Sequence, residues 1–147
     1  MSGGGGLVST LSDYLKFTLL LLNKGTFNQT EPLKQETVKL MTSDHMASRG
    51  INYVGLDPNE FQDLPEYVAT ILQKYSEDCG FGLGVQVKIK KNSVPLGIYG
   101  WNGRFTTSYW VDPTNQLIGI LFSQFSPNFE YPIFDEFADL TYQALNL

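Results

Sequence analysis

The sequence has 147 residues, of which 42% are hydrophobic and 14% aromatic, and its formal net charge is −5. This length suits one domain, and so apolar a composition is typical of a globular chain, not of a disordered one. The acidic balance disfavours nucleic acids and anionic membranes as partners.

Cysteine and histidine occur once each, as Cys79 and His45. An intramolecular disulfide is therefore excluded, and the roughly four Cys or His ligands of a structural zinc site are not available. A thiol nucleophile with a histidine base is one alternative for this pair. No local signature supports that alternative, so we interpret Cys79 as a small buried hydrophobe and His45 as a loop residue. We predict no metal and no cofactor.

The sequence begins with a run of four glycines at residues 3–6. Backbone N–H groups in such a run could cradle an anion, but the Gly-Lys-Ser/Thr of a phosphate-binding loop is missing, which favours a flexible or tightly turning start. We expect no signal peptide, because Met1 is followed by no basic or apolar leader, and we assign no compartment. No apolar run approaches the roughly 20 residues of a membrane span.

Residues 1–75 are predicted to be mainly helical. Thr10 and Asp13 have the spacing of a capping box, and leucines recur after them at helical spacing. Lys24 and Gly25 would supply a basic last turn and the glycine at the first position beyond the helix, C′.

Two further helices are predicted in this half. A short helix over 34–43 would turn Val38 and Met41 inward. Residues 43–64 contain Gly, Asp, Asn and Pro and are predicted to be irregular. Pro65 suits the first turn of a third helix that would end near residue 75, although the alternative of a loop over residues 66–75 stays open.

Residues 80–147 are predicted to form a sheet followed by a C-terminal helix. Residues 81–90 alternate in two-residue steps and predict one strand. The Asp and Pro of a type I turn at Asp112 predict a hairpin between 104–111 and 117–124, with Trp-Asn-Gly at the head of its first strand.

The fold class expected from these elements is α+β, with an antiparallel sheet of three or more strands packed by helices. Both faces of the last strand are apolar, so helices should cover both. One covering helix would start at Pro132. Its apolar stripe would consist of Phe134, Phe137, Ala138, Thr141 and Leu145. Three strands alone would make a thin sheet with exposed edges, which a partner could complete.

No complete catalytic constellation is found among the residues. The sequence contains neither a Ser-x-x-Lys nor a Gly-x-Ser-x-Gly motif. Ser9 and Ser12 are interpreted as hydroxyls at the start of a helix, because no lysine or histidine is positioned to activate them.

Four segments, in order and over nearly the whole chain, resemble the C-terminal part of the serine β-lactamase and penicillin-binding-protein family, most closely its class C and esterase-like branch. They are "SGGGGLVSTLSDYLKFTLLLLNKG", "ETVKLMTSDHM", "GFGLGVQV" and "YGWNGRFTTSYWVDPTNQLIGILFSQ". The resemblance implies a β-lactamase-like fold and a hydrolase that transfers the acyl group of a β-lactam, a D-Ala-D-Ala peptide or an ester. Members of the family are often periplasmic or extracellular, and some are cytoplasmic.

The resemblance also assigns a substrate-binding site. Trp101, Asn102 and Gly103 match the third motif of the family, which is Lys-Thr-Gly in many members and His- or Trp-x-Gly in the esterase-like branch. It implies that these residues contact substrate and that the backbone N–H of Arg104 is one donor of the oxyanion hole. The branch usually has glycine where Asn102 stands, which leaves the substrate class open.

The first two motifs of the family, Ser-x-x-Lys and Tyr-x-Asn, lie upstream of the matching region. The resemblance therefore implies a partial domain, residues 1–147, that lacks the nucleophile and two strands of a five-stranded sheet and is inactive alone. The small acyl substrate would bind to the complete protein. The alternative is a non-catalytic interaction module that self-associates through its open sheet edge.

Overall fold

The computed structural model describes residues 6–51, 54, 64–90, 94–126, 128 and 130–147. These residues form an α+β fold with four α-helices and a five-stranded antiparallel sheet in the order β1-β2-β3-β4-β5. The helices are α1 (Leu11–Leu22), α2 (Gln35–Met41), α3 (Glu66–Asp78) and α4 (Ile133–Leu145), with a 3₁₀ turn at Ala47–Arg49. The strands are β1 (Cys79–Phe81), β2 (Gln86–Lys88), β3 (Tyr99–Asn102), β4 (Ser108–Asp112) and β5 (Leu117–Leu121). Within the described ranges, no helix has the length and apolar character that crossing a membrane requires.

The predicted helices are confirmed. The Thr10 hydroxyl caps α1 by accepting the Asp13 N–H at 3.2 Å, as the capping-box spacing predicts. Val38 is buried on α2. The third helix exists and runs three residues further than predicted, to Asp78, so the loop alternative for residues 66–75 is wrong.

The end of α1 differs from the prediction by one position. Lys24, not Gly25, is the C′ residue in the left-handed region, with φ of 55°. Its N–H donates to the Leu21 carbonyl at 3.0 Å, and the Gly25 N–H donates to the Leu20 carbonyl at 2.8 Å, which is the Schellman arrangement. Glycine is required at position 25 for another reason, because a Cβ there would collide with the Leu33 carbonyl.

The predicted strand over residues 81–90 is wrong, because this segment contains part of one hairpin. The chain leaves β1 at Gly82, turns, and returns as β2, with Phe81 opposite Gln86. Gly82 passes so close to α2 that a Cβ would collide with the Met41 carbonyl, and Gly84 has a φ of 87°. These contacts break an alternating pattern that looks continuous in the sequence.

The second predicted strand also divides in two. Trp101 lies near the end of β3, not at the head of the hairpin strand, and residues 103–107 turn the chain into β4. The sheet therefore has five strands, which confirms the prediction of three or more. The expectation of a thin three-stranded sheet that lacks two of five strands is wrong. The hairpin of β4 and β5 is confirmed, with Asp112 opposite Leu117.

Helices cover both faces of the sheet, as the two apolar faces of β5 predict. On one face, α1 and α2 pack on a core of Leu21, Leu22, Val38, Val85, Val87, Tyr99, Tyr109 and Val111. On the other face, α4 packs on a smaller core of Ile98, Trp110 and Tyr142. The predicted stripe on α4 is correct at Phe134 but not at its end, because Leu145 is exposed and Tyr142 is the buried residue.

Asp112 joins the hairpin to α4 from a fully buried position. Its carboxylate accepts the Thr114 N–H at 2.8 Å, the Asn115 N–H at 3.1 Å and the Asn115 side-chain amide at 2.7 Å. The Tyr142 hydroxyl donates to the same carboxylate at 2.7 Å. Asp112 therefore both stabilises the turn predicted from Asp-Pro and links the β4–β5 hairpin to α4.

Candidate functional site

The candidate site lies where β3 extends beyond its neighbour β2. On one side, β3 pairs with β4 as far as Asn102, which lies opposite Ser108. On the other side, the pairing with β2 ends at Gly100, opposite Gln86. Beyond Gly100, the edge of β3 has no strand beside it in the part of the chain that the structure describes. A free strand edge offers backbone donors and acceptors to an extended ligand.

Trp101 is the side chain that marks this edge. It is 46% exposed, although large aromatic residues are usually well buried. Its ring meets the Phe81 ring edge to face, with centroids 5.5 Å apart and an angle of 80° between the planes. One side of the indole is thus supported by β1 while much of its surface stays accessible.

Asn102 is held by neighbours on two other elements. Its side-chain oxygen accepts the Ser108 hydroxyl at 2.7 Å. Its side chain also hydrogen bonds with the Tyr75 hydroxyl of α3. Burial raises the pKa of Tyr75 well above its ordinary value, the charge of Asp135 raises it further, and the bond with Asn102 only partly opposes these effects. Tyr75 is therefore a neutral phenol at physiological pH, and Asn102 links α3 to β4 across the end of β3.

Gly103 begins the tight turn that follows the motif. Its N–H donates to the Thr107 carbonyl at 2.7 Å, and its own carbonyl accepts the Thr106 N–H at 3.1 Å. A Cβ at position 103 would collide with the Thr107 hydroxyl unless that side chain rotated, so the turn favours glycine. Thr106 is wholly buried with a φ of 60°, and its hydroxyl donates to the Phe125 carbonyl at 3.0 Å. Both ends of the turn are therefore fixed.

Arg104 is exposed in this turn, directly after Gly103. Its backbone N–H donates to no described residue, whereas the N–H groups of Gly103 and Thr106 are both paired. The N–H of the neighbouring Phe105 likewise donates to no described residue, so both groups are available to an acceptor from outside the chain. This is the property that an oxyanion-hole donor needs.

An apolar cleft of about 360 Å³ adjoins the motif. Trp101 and Asn102 line it from β3, Phe81 lines it from β1, and Leu72 and Tyr75 line it from α3. Sequence reasoning singled out only the two β3 residues. The others come from distant parts of the chain, and no local pattern marks them as neighbours of the motif.

The thiol alternative gains no support from the geometry. Cys79 is buried, as predicted, and burial raises the pKa of its thiol to about 11, which keeps it protonated. A ring nitrogen of His45 hydrogen bonds with the Leu40 carbonyl at 2.8 Å. No cluster of three or more His, Cys, Asp or Glu side chains suited to a metal ion occurs among the described residues.

Ser9 and Ser12 lie at the exposed start of α1, as predicted. The Ser9 hydroxyl donates to the Thr10 carbonyl at 3.2 Å, and the Ser12 hydroxyl shares a hydrogen bond with the Thr10 hydroxyl at 3.0 Å. Neither serine contacts a lysine or a histidine within the described ranges. Of the glycine run, residues 3–5 lie outside the described residues, and Gly6 has a φ of 96° with open space around it.

An α+β domain with helices on both faces of its sheet and a glycine turn at a free strand edge agrees with the fold that the resemblance implies. The family model described as Beta-lactamase matches residues 1–143, and the chain belongs to this family. It is similar to two proteins of Mycobacterium tuberculosis, Protein Rv1367c of strain ATCC 25618 / H37Rv and Uncharacterized protein MT1414 of strain CDC 1551 / Oshkosh. Each is 31% identical over 134 residues, which cover 86% of this chain and 30% of the relative. The chain thus spans about a third of the length of the curated relatives it matches.

Proposed function

We propose that this chain forms the substrate-binding edge of a serine hydrolase that transfers acyl groups to water. The observation that carries the proposal is that the Arg104 N–H donates to no described residue and lies in a fixed turn at the free end of β3. Trp101, Asn102 and Gly103 would lie against the substrate. Gly103 would keep side-chain bulk away from the substrate's backbone.

The proposed reaction develops negative charge on the carbonyl oxygen of the substrate. A serine attacks the carbonyl carbon, and the tetrahedral intermediate places that charge on its oxygen. The intermediate collapses to an acyl-enzyme with loss of the leaving group, and water then hydrolyses the acyl-enzyme. The Arg104 N–H would donate to the oxyanion, a contribution that is typically worth about 10²–10³ in rate.

The nucleophile would come from sequence beyond these 147 residues. The sequence contains neither Ser-x-x-Lys nor Tyr-x-Asn, and the hydroxyls of Ser9 and Ser12 bond only near the start of α1. The proposal therefore expects the 147-residue chain to be inactive by itself. Its substrates would be β-lactams, D-Ala-D-Ala peptides or esters, and the Trp-x-Gly motif favours esters.

The first test measures turnover of nitrocefin and of p-nitrophenyl acetate by the purified chain. The control is the double variant Ser9→Ala, Ser12→Ala. We expect no turnover above buffer for either protein. Turnover that disappears in the double variant would contradict the proposal, because a serine at the start of α1 would then be the nucleophile.

The second test concerns Arg104 in a longer chimera, whose ester turnover is measured first. Residues 1–147 would replace the matching region of Protein Rv1367c, and Arg104→Pro would be compared with Arg104→Ala. Proline removes the backbone N–H, whereas alanine keeps it and removes only the side chain. We expect an ester turnover about 10²–10³ lower for the proline variant and within a few-fold of the parent for the alanine variant. Equal turnover of two variants that melt like the parent would contradict the role of the N–H.

The outer edge of β5 has no strand beside it among the described residues. It is the surface that the alternative hypothesis, a self-associating interaction module, would use. Light scattering on the purified chain separates the two hypotheses. A stable dimer that survives dilution would favour the module, and a monomer would count against it.

A further inference from the structure

We propose that the cleft beside Trp101 binds the apolar acyl group of a neutral ester. That the ligand is a substrate rests on the proposed function. That the ligand is apolar and neutral is argued from the residues that line the cleft. The cleft measures about 360 Å³, near the lower end of the roughly 300–1,000 Å³ typical of small-molecule sites. Its size suits a short alkyl chain or a single ring.

The described residues that line the cleft are mainly apolar and uncharged. Met46, Leu72, Phe81 and Trp101 come from four separate parts of the chain and supply the hydrophobic surface. No described residue that lines the cleft carries a formal charge. A carboxylate, such as the terminus of a D-Ala-D-Ala peptide, would lose its hydration there without gaining a cation, which is costly. The cleft therefore favours an uncharged group.

Two polar side chains that line the cleft, Asn102 and Tyr75, are held by hydrogen bonds. The oxygen of the Asn102 side chain accepts the Ser108 hydroxyl, and the Tyr75 hydroxyl bonds with the Asn102 side chain. These bonds hold the side chains of Asn102 and Tyr75 in place at the wall of the cleft. The interaction available to a ligand is chiefly contact with hydrocarbon and aromatic surface.

The position of Trp101 connects the cleft to the proposed reaction. The residue lies at the free edge of β3, two positions before Gly103 and the turn that contains the Arg104 N–H. It also lines the cleft. A substrate whose carbonyl meets the turn would thus have an apolar group of its acyl part within reach of the cleft.

The experiment measures binding of neutral ketones to the 147-residue chain by ¹H–¹⁵N NMR of the tryptophan side chains. The probes are 2-butanone, 2-hexanone and 2-octanone, which present a carbonyl and an alkyl chain but no bond to hydrolyse. The sequence contains two tryptophans, so the spectrum should contain two indole signals, and Trp101→Phe assigns them. Trp110 is buried and serves as the internal reference.

We expect a saturable shift of the Trp101 signal and little change at Trp110. The affinity should rise by about fourfold per methylene until the cleft is full, a factor that corresponds to about 0.8 kcal/mol per buried CH₂. No saturable shift at Trp101, or an affinity that does not depend on chain length, would overturn the inference.

Two matched variants locate the binding site. Leu72→Phe adds bulk inside the cleft, and Leu140→Phe makes the same change on α4, where Leu140 is 61% exposed. We expect at least a tenfold loss of 2-hexanone affinity for the first variant and none for the second, with both melting like the parent. Equal affinity in the two variants would overturn the inference.

The failure of this inference is distinguishable from failure of the proposed function. Ketone binding needs no nucleophile, so it is measured whether or not the chain takes part in catalysis. Ketone binding at Trp101 together with no effect of Arg104→Pro on turnover would contradict the proposed function alone. A loss of ester turnover in Arg104→Pro, together with no ketone binding, would contradict only the inference that the cleft binds the acyl group.

Discussion

The hydroxyl of Tyr142 is predicted to stabilise the fold through Asp112. Tyr142→Phe removes this hydroxyl and keeps the ring, which stacks on Trp110 at a centroid distance of 5.6 Å. The fully buried Asp112 carboxylate would then lose the donor at 2.7 Å and keep those of Thr114 and Asn115. A hydrogen bond to a charged group contributes about 1.5–3 kcal/mol, and we expect a loss of that size in the free energy of unfolding at pH 7. For a chain of this length it corresponds to a fall in Tm of about 3–12 °C.

The pH dependence gives this prediction a second test. Burial raises the pKa of Asp112, but the hydrogen bonds from Tyr142, Asn115 and Thr114 outweigh that effect and hold the pKa below the ordinary 3.8. Because the folded pKa lies below the unfolded one, the stabilisation is complete above about pH 4 and is lost as the pH falls through the folded value. The difference between Tyr142→Phe and the parent should therefore shrink in acid.

The assay is urea unfolding of parent and variant at pH 7 and at pH 3. Tyr67→Phe is the matched control, because Tyr67 is 50% exposed on α3 and its variant should stay within about 0.5 kcal/mol of the parent. A loss below about 0.5 kcal/mol for Tyr142→Phe at pH 7 would refute the assigned hydrogen bond. A loss that is as large at pH 3 as at pH 7 would refute the role of the Asp112 charge.

Three further predictions concern stability and are checked by the same unfolding measurements. Gly100→Ala should cost at least about 1–3 kcal/mol, because its Cβ would collide with the Tyr109 carbonyl of the neighbouring strand; a neutral effect would contradict this packing. Asp44→Asn should cost roughly 1 kcal/mol at pH 7, because backbone N–H groups that include that of Phe81 hold the pKa of Asp44 at about 2 against the effect of burial. That cost should be constant above about pH 4 and disappear as the pH falls toward 2; a cost independent of pH would exclude the charge as its cause. Trp110→Phe should cost less than about 1 kcal/mol, because the lost ring area is offset by removal of a buried N–H that has no hydrogen-bond partner among the described residues; a loss above about 3 kcal/mol would contradict this balance.

Sequence reasoning succeeded where the determining interaction is local. The Thr10 cap of α1 and the turn at Asp112 each depend on residues within four positions. The cap is predicted from the spacing of Thr10 and Asp13, and the turn from its Asp and Pro. The covering of both sheet faces by helices follows from the apolar alternation of β5, which is again a property of one short segment.

Sequence reasoning failed where a distant contact decides the backbone path. The turn between β1 and β2 depends on α2, whose last residue, Met41, accepts the Leu83 N–H at 2.9 Å through its carbonyl. Neither partner is marked by a pattern near residues 81–90. The burial of Tyr142 on α4 was not predicted for the same reason. Tyr142 is buried because it contacts Asp112 and Trp110, and an apolar stripe on the helix does not reveal these contacts.

The candidate site combines both situations. Trp101 to Gly103 is a local motif, predicted at the head of the hairpin strand and found at the end of β3. The partners of Asn102 are not local, since Tyr75 comes from α3 and Ser108 from β4. The assignment of Trp101, Asn102 and Gly103 to a site stays a prediction, and the contacts that hold Asn102 could not be predicted from the sequence.

Asn102 stands where the esterase-like branch usually has glycine, and its contacts show what the asparagine side chain adds. A glycine in place of Asn102 could accept neither the Ser108 hydroxyl nor a bond with Tyr75. Leu72, which lies about one helical turn before Tyr75 on α3, lines the same cleft as Trp101. Because the Asn102 bond ties this turn of α3 to the end of β3, the separation of Leu72 from Trp101 depends on it. The side chain at the middle of the motif thus bears on the width of the apolar cleft.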